Sequence, residues 1–159
     1  MLSLHAPIVE TRTLLWQNEA DCQAFAQTLA ARPAVRNANI SLHGPLGAGK
    51  TSLVRHLLRA LGVTGRIKSP TYAVVEPHQV GDLLISHFDF YRFNDPREWL
   101  DAGFRDLYAQ PGLKLAEWPE KAAGMLPPAD LDIHLQPLEG DARQVTLQAG
   151  SPLGMNLLP

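Results

Sequence analysis

The residues with the clearest chemical purpose form one run: Gly44, Pro45, Leu46, Gly47, Ala48, Gly49, Lys50, Thr51 and Ser52. Its fixed positions read G-x-x-x-x-G-K-[ST]. Glycine lets the backbone curl until successive N–H groups point into one hollow. A helix starting near Lys50 adds its free amides and positive end to the same hollow. Lysine reaches terminal phosphates as a point charge, and the Thr51 hydroxyl offers an oxygen to Mg²⁺. Four fixed positions give roughly a 1-in-200 chance of an accidental match in a chain of this size. Pro45 has no amide, so that position stiffens the turn without donating. The run reads as a phosphate loop for a nucleoside triphosphate; the bland alternative is a glycine turn with a surface lysine.

A phosphate loop needs a strand before it and a helix after it. Residues 39–43 (NISLH) supply a short strand. Leu53, Val54, Leu57, Leu58 and Leu61 fall on one helical face, and Gly62 is placed to close that helix. Upstream, residues 8–15 read as a strand. Asn18 caps a helix striped by Cys22, Phe25, Ala26 and Leu29, which ends before Pro33. Downstream, residues 67–76 and 83–90 pair as a hairpin with a turn at 80–82. Asp95, Pro96 and Glu98 mark a helix start that takes in Trp99 and Leu100, and a second piece covers 104–109. Residues 113–118 (LKLAEW) read as a buried strand, followed by a short helix from Pro119 that Gly124 can stop. Alternation at Leu131, Ile133 and Leu135, then at Val145, Leu147 and Ala149, gives a C-terminal hairpin around residues 139–141. The expected fold class is α/β. It is a P-loop-like three-layer α/β/α arrangement with a mixed, mostly parallel sheet whose central strands are 39–43 and 113–116. Residues 1–150 form one domain, and 151–159 read as a flexible tail.

Acids at strand ends are the next candidates, because hydrolysis needs groups that hold Mg²⁺ and position water. Glu117 ends an apolar run, and Asp89 sits in "SHFDFYRF" with His87 and Tyr91 on the same alternation. The plainer readings are a solvated edge strand for Asp89 and a structural acid for Glu117. Glu76, beside Pro77, reads as a turn residue. Ser69 and Thr71 flank Pro70 and can touch metal or phosphate, or simply cap a turn. Arg92 can meet phosphate or water, and His87 can orient Asp89 or serve structure. Trp16, Trp99, Trp118 and Cys22 read first as core.

The chain has 159 residues, 45% hydrophobic and 19% charged, with a net charge of -2. That is a globular composition without the basic excess of a direct nucleic-acid binder. No apolar run reaches a membrane span, and the start does not read as a secretory signal. The one cysteine excludes a disulfide scaffold and makes a reducing, cytoplasmic setting the simplest reading.

Four segments, "GPLGAGKT" (44–51), "SPTY" (69–72), "HFDFYR" (87–92) and "EWPE" (117–120), occur in one order and spacing. Together they resemble the TsaE (YjeE) family, small bacterial P-loop ATPases of tRNA threonylcarbamoyladenosine biosynthesis. The resemblance runs from Asn18 to about residue 147. It implies ATP and Mg²⁺ as cofactors, with Lys50 and the loop amides through Ser52 on the phosphates. It also implies that Thr51 and Glu117 hold Mg²⁺, with Asp89 a further metal neighbour and the acid tied to hydrolysis. Ser69 and Thr71 match a switch-like loop, Tyr91 and Arg92 a phosphate or partner contact, and Trp118 the aromatic beside the metal acid. The implied partners are the transferase subunit of this modification and its paralogous scaffold subunit, with tRNA met only through them and no membrane. Cys22 stands where the family usually has threonine, and Pro45, Tyr72 and Phe90 where it usually has aspartate, phenylalanine and leucine. Two alternatives stay open: a small-molecule or nucleoside kinase, and a nucleotide-gated binding module with negligible turnover.

Overall fold

The computed structural model describes residues 8–70, 74–95 and 103–159. Seven strands form one sheet: β1 (Glu10–Trp16), β2 (Asn39–His43), β3 (Val75–Val80), β4 (Leu83–Asp89), β5 (Leu113–Glu117), β6 (Leu131–Pro137) and β7 (Arg143–Ala149). Their order is β1-β7-β6-β2-β5-β4-β3. The four inner strands, β6, β2, β5 and β4, run parallel, and antiparallel pairs close both edges. β2 and β5 lie centrally, and β5 is buried at every position, as a parallel strand covered on both faces should be. The sheet is the mixed one expected, with a parallel core.

Two helices, α1 (Glu19–Ala30) and α2 (Lys50–Leu61), cover one face. The α1 start is closed by its own sequence: Asn18 accepts from the Asp21 amide at 3.1 Å, and Asp21 accepts from the Gln17 amide at 2.7 Å. Leu53, Val54, Leu57 and Leu58 of α2 are all buried against Ile40, Leu42, Ile85, Leu115, Ile133 and Leu147 of the sheet. Each such side chain contributes about 1.5–3 kcal/mol. Gly62 ends α2 with φ 107°.

The other face is covered unevenly. Phe88 and Phe90 pack with Phe93, Phe104 and Tyr108, the last two from α3 (Phe104–Ala109), and with Ala116 and Ala122. That layer sits over β4 and β5. Over β2, β6 and β7 the same face carries half-buried polar residues instead. His43 stacks on His134 with ring centroids 4.2 Å apart, and Asp132 lies 2.6 Å from His43 Nε2.

Two expectations are corrected. The hairpin strand anticipated over 67–76 is displaced to β3, because a two-residue turn at Gly81 and Asp82 lets pairing run back only from Val80. Pro77 is accommodated there because β3 is the sheet edge, where a missing amide costs no ladder bond. The C-terminal residues are not a loose tail. Ser151 caps a short helix, α4 (Pro152–Met155), by accepting from the Gly154 amide, and Leu157 and Leu158 are buried in the main core. The helix start anticipated at Asp95 extends into residues 96–102, outside the described residues, as do Trp99 and Leu100.

The docked C-terminus gives a test. A Cβ on Gly154 would lie 1.8 Å from the Asp130 carbonyl oxygen. Gly154→Ala should therefore lower unfolding free energy by about 1–3 kcal/mol in a urea titration; a tail free of the core would show no change. A second test concerns acid. Burial holds the His134 imidazole below its ordinary value, with His43 adding to the effect, and burial does the same to His78. The unfolded chain, whose histidines titrate at about 6.5, then binds more protons than the folded one just below that pH. Stability should be full above pH 6.5 and fall as pH drops through that window, and His134→Gln should shallow the slope.

Candidate functional site

The carboxyl ends of the parallel strands meet at one cavity, where ligands gather in open α/β sheets. In register, Leu42 of β2 faces Glu117 of β5, and Glu117 faces Asp89 of β4. The chain leaves β2 through the glycine run and enters α2. The cavity has a volume of about 490 Å³ and is lined by residues 45–52, Asp89, Tyr91, Glu117 and Trp118. Its far wall comes from Trp16, Asn18, Glu19, Cys22, Asp141 and Arg143.

The loop has the geometry its glycines predict. Gly44, Gly47 and Gly49 have φ values of 151°, 78° and 102°. A Cβ on Gly44 would lie 2.6 Å from the Leu135 carbonyl oxygen, so only glycine fits between the loop and β6. Unlike α1, α2 has no side-chain cap at its start. Its first-turn amides are left for whatever occupies the cavity.

Lys50 is 5% exposed. Its Nζ donates to the carbonyls of Gly44 and Pro45 and sits 3.8 Å from the centre of the Trp118 ring. Burial lowers its pKa, an effect opposed by Glu117, Glu120 and Asp89. Trp118 has φ 56° and ψ 48°, and among the described residues it is the one non-glycine in the left-handed region. That costly conformation aims its ring over the lysine rather than along the strand.

Glu117 is 2% exposed and doubly held. Its Oε1 accepts from the Thr51 hydroxyl at 2.8 Å, and its Oε2 lies 2.6 Å from His87 Nε2. Because Thr51 spends its proton on Glu117, its lone pairs stay free to face a cation. His87, 1% exposed, therefore orients Glu117 and not Asp89. Asp89 is half-buried and accepts from the Tyr91 amide at 2.9 Å. Burial raises its pKa, and Glu117 adds to the rise against the opposing Tyr91 bond. Three oxygen-bearing side chains around one polar hollow suit a hard cation such as Mg²⁺.

The structure thus brings together the loop, Lys50, Thr51, Ser52, Asp89, Glu117 and Trp118. Ser69 and Arg92 do not line the cavity, and Thr71 lies outside the described residues. Glu76 lies within β3, opposite His87, rather than in a turn. The sequence reading missed Arg143. Its Nε donates to the Ala48 carbonyl at 2.9 Å, tying β7 to the loop. Nothing local marks it; only the cross-strand pairing of Trp16 with Arg143 places it at the cavity.

The sequence profile described as "Threonylcarbamoyl adenosine biosynthesis protein TsaE" matches residues 16–145. The chain belongs to the TsaE family. It is 40% identical over 134 residues to the tRNA threonylcarbamoyladenosine biosynthesis protein TsaE of Haemophilus influenzae, covering 84% of each chain. It is 31% identical to the protein of the same name from Bacillus subtilis, covering 87% of each. The crystal structure of Bacillus subtilis YdiB superposes with a TM-score of 0.76 at 25% identity, over 96% of this chain and 94% of that one. Among the described residues, no helix is long and apolar enough to cross a membrane.

The Glu117–His87 contact is testable without any ligand. Removing His87 strips one partner from a fully buried carboxylate. His87→Ala should cost about 3 kcal/mol of stability in urea unfolding, and should cost more than the same change at the half-exposed His56. Equal effects would mean that His87 does not hold Glu117.

Proposed function

We propose that this TsaE-family chain binds ATP with Mg²⁺ and hydrolyses it. In this reading it is an accessory ATPase supporting threonylcarbamoyl transfer to adenosine 37 of tRNA. The pathway is carried by family membership and by the relatives in tRNA threonylcarbamoyladenosine biosynthesis. The chemistry is carried by one observation: Thr51, on the first turn of an uncapped helix, is hydrogen-bonded to a buried carboxylate at the neighbouring strand end.

The residues divide the work as follows. Loop amides and the first turn of α2 surround the polyphosphate. Lys50 leaves the Gly44 and Pro45 carbonyls to reach the terminal phosphates, exchanging neutral acceptors for anionic ones. Thr51 and Glu117 would hold Mg²⁺, with His87 fixing the Glu117 rotamer. Mg²⁺ held by these two residues would supply charge neutralisation at the phosphate oxygens. Asp89 faces the same hollow, and its raised pKa suits a group that holds a water and accepts its proton. Trp118 covers the Lys50 ammonium, and Tyr91 packs against Trp118.

The transferase subunit and its paralogous scaffold subunit are the proposed partners. A net charge of -2 fits a chain that meets tRNA through them. The implied setting is the cytoplasm.

Calorimetric titration with ATP, with Mg²⁺ or with chelator, tests the assignment. Lys50→Ala should weaken ATP binding roughly tenfold or more. Glu117→Gln should erase most of the difference between the Mg²⁺ and chelator titrations while leaving metal-free binding nearly intact. Asp89→Asn should keep binding and lose phosphate release when the partner subunits are supplied. A folded protein that gives no heat with ATP and Mg²⁺ would overturn the reading.

A further inference from the structure

Three donors of different chemistry meet where α1 packs on α2. Glu19 and Cys22 lie three residues apart on α1 and so share a face. His56 approaches from α2. One carboxylate oxygen, the Cys22 Sγ and one imidazole nitrogen all lie within 4.8 Å of one another. His56 Nε2 is 2.7 Å from Glu19 Oε1. Cys22, the only cysteine, is buried, yet both it and Glu19 contribute to the cavity wall.

We propose that Glu19, Cys22 and His56 form a binding site for a thiophilic divalent cation of the zinc class, with its fourth position opening towards the cavity. Side chains on facing helices are a standard way to build such a centre. Sulfur, imidazole and carboxylate together favour zinc over the magnesium that oxygen donors select. Around tetrahedral zinc these donor atoms would stand roughly 3.3–3.6 Å apart. The His56–Glu19 pair must open slightly and the thiol close in, movements that side-chain rotations supply.

The local field sets what the cation must displace. Burial pushes the Cys22 thiol up to about 12, and the charge of Glu19 adds to the rise, while Arg143 opposes it. Without metal the sulfur therefore keeps its proton. When the cation binds, the S–H proton passes to solvent and the freed sulfur lone pair forms the bond to metal. The proposal does not rest on the nucleotide reading: its ligands come from α1 and α2 and not from the glycine loop, although Glu19 and Cys22 line the same cavity.

The probe is Co²⁺, added to full-length protein stripped with chelator and free of nucleotide. The expected result is a thiolate-to-cobalt charge-transfer band in the near ultraviolet that saturates at about one equivalent and is displaced by Zn²⁺. Cys22→Ser should abolish the band. His56→Gln should weaken Co²⁺ affinity roughly tenfold or more, and His134→Gln should leave it unchanged. No band on folded protein, a band that survives Cys22→Ser, or unchanged affinity in His56→Gln would each overturn the site. If Cys22→Ser does not fold, His56→Gln decides alone, because that imidazole is half-exposed.

Discussion

The structure depends on a single buried carboxylate. Glu117 ends a strand that is apolar throughout its inward face, and a lone charge there would be expensive. Its two oxygens are instead spent on two partners from different parts of the chain, the Thr51 hydroxyl and the His87 imidazole. Those contacts fix the distance between three neighbouring elements: the start of α2, the end of β5 and the middle of β4. They also leave the cavity floor organised before any ligand arrives. Such a carboxylate need not be reoriented when a cation approaches, which is the physical meaning of preorganisation.

Much of this was legible in the sequence, and the reason is local chemistry. The glycine loop, the Asn18 cap, the Gly62 stop and the apolar stripe of α2 each declare themselves within a few residues. β5 was readable because a strand buried on both faces is an apolar run. His87 was readable as a candidate but not in its role. Alternation puts it on the same face as Asp89, whereas its partner is set by the register between β4 and β5, a long-range quantity.

The misses share that cause. Leu157 and Leu158 follow a glycine and proline-containing stretch with no period, so they resemble a tail. They are core because Gly154 lets the chain approach Asp130 and turn back over the sheet. β3 was misplaced because a proline inside a strand argues against it unless the strand is an edge, and edge status is a property of the whole sheet. Arg143 looked like any polar residue of a hairpin.

Arg143 also shows how the two ends of the chain enter the site. β1 and β7 pair antiparallel at the sheet edge, with Trp16 opposite Arg143 at the cavity end. From there the guanidinium reaches the Ala48 and Gly47 carbonyls. A loop whose amides point inward must point several carbonyls outward, and those oxygens need donors. Lys50 serves the Gly44 and Pro45 carbonyls from inside the hollow, and Arg143 serves Gly47 and Ala48 from the hairpin side. The lysine's bonds are the ones an arriving anion competes for; the arginine, on the hairpin wall of the cavity, ties the loop to β7. The loop can therefore exchange its lysine contact for a ligand while its arginine contact holds its shape.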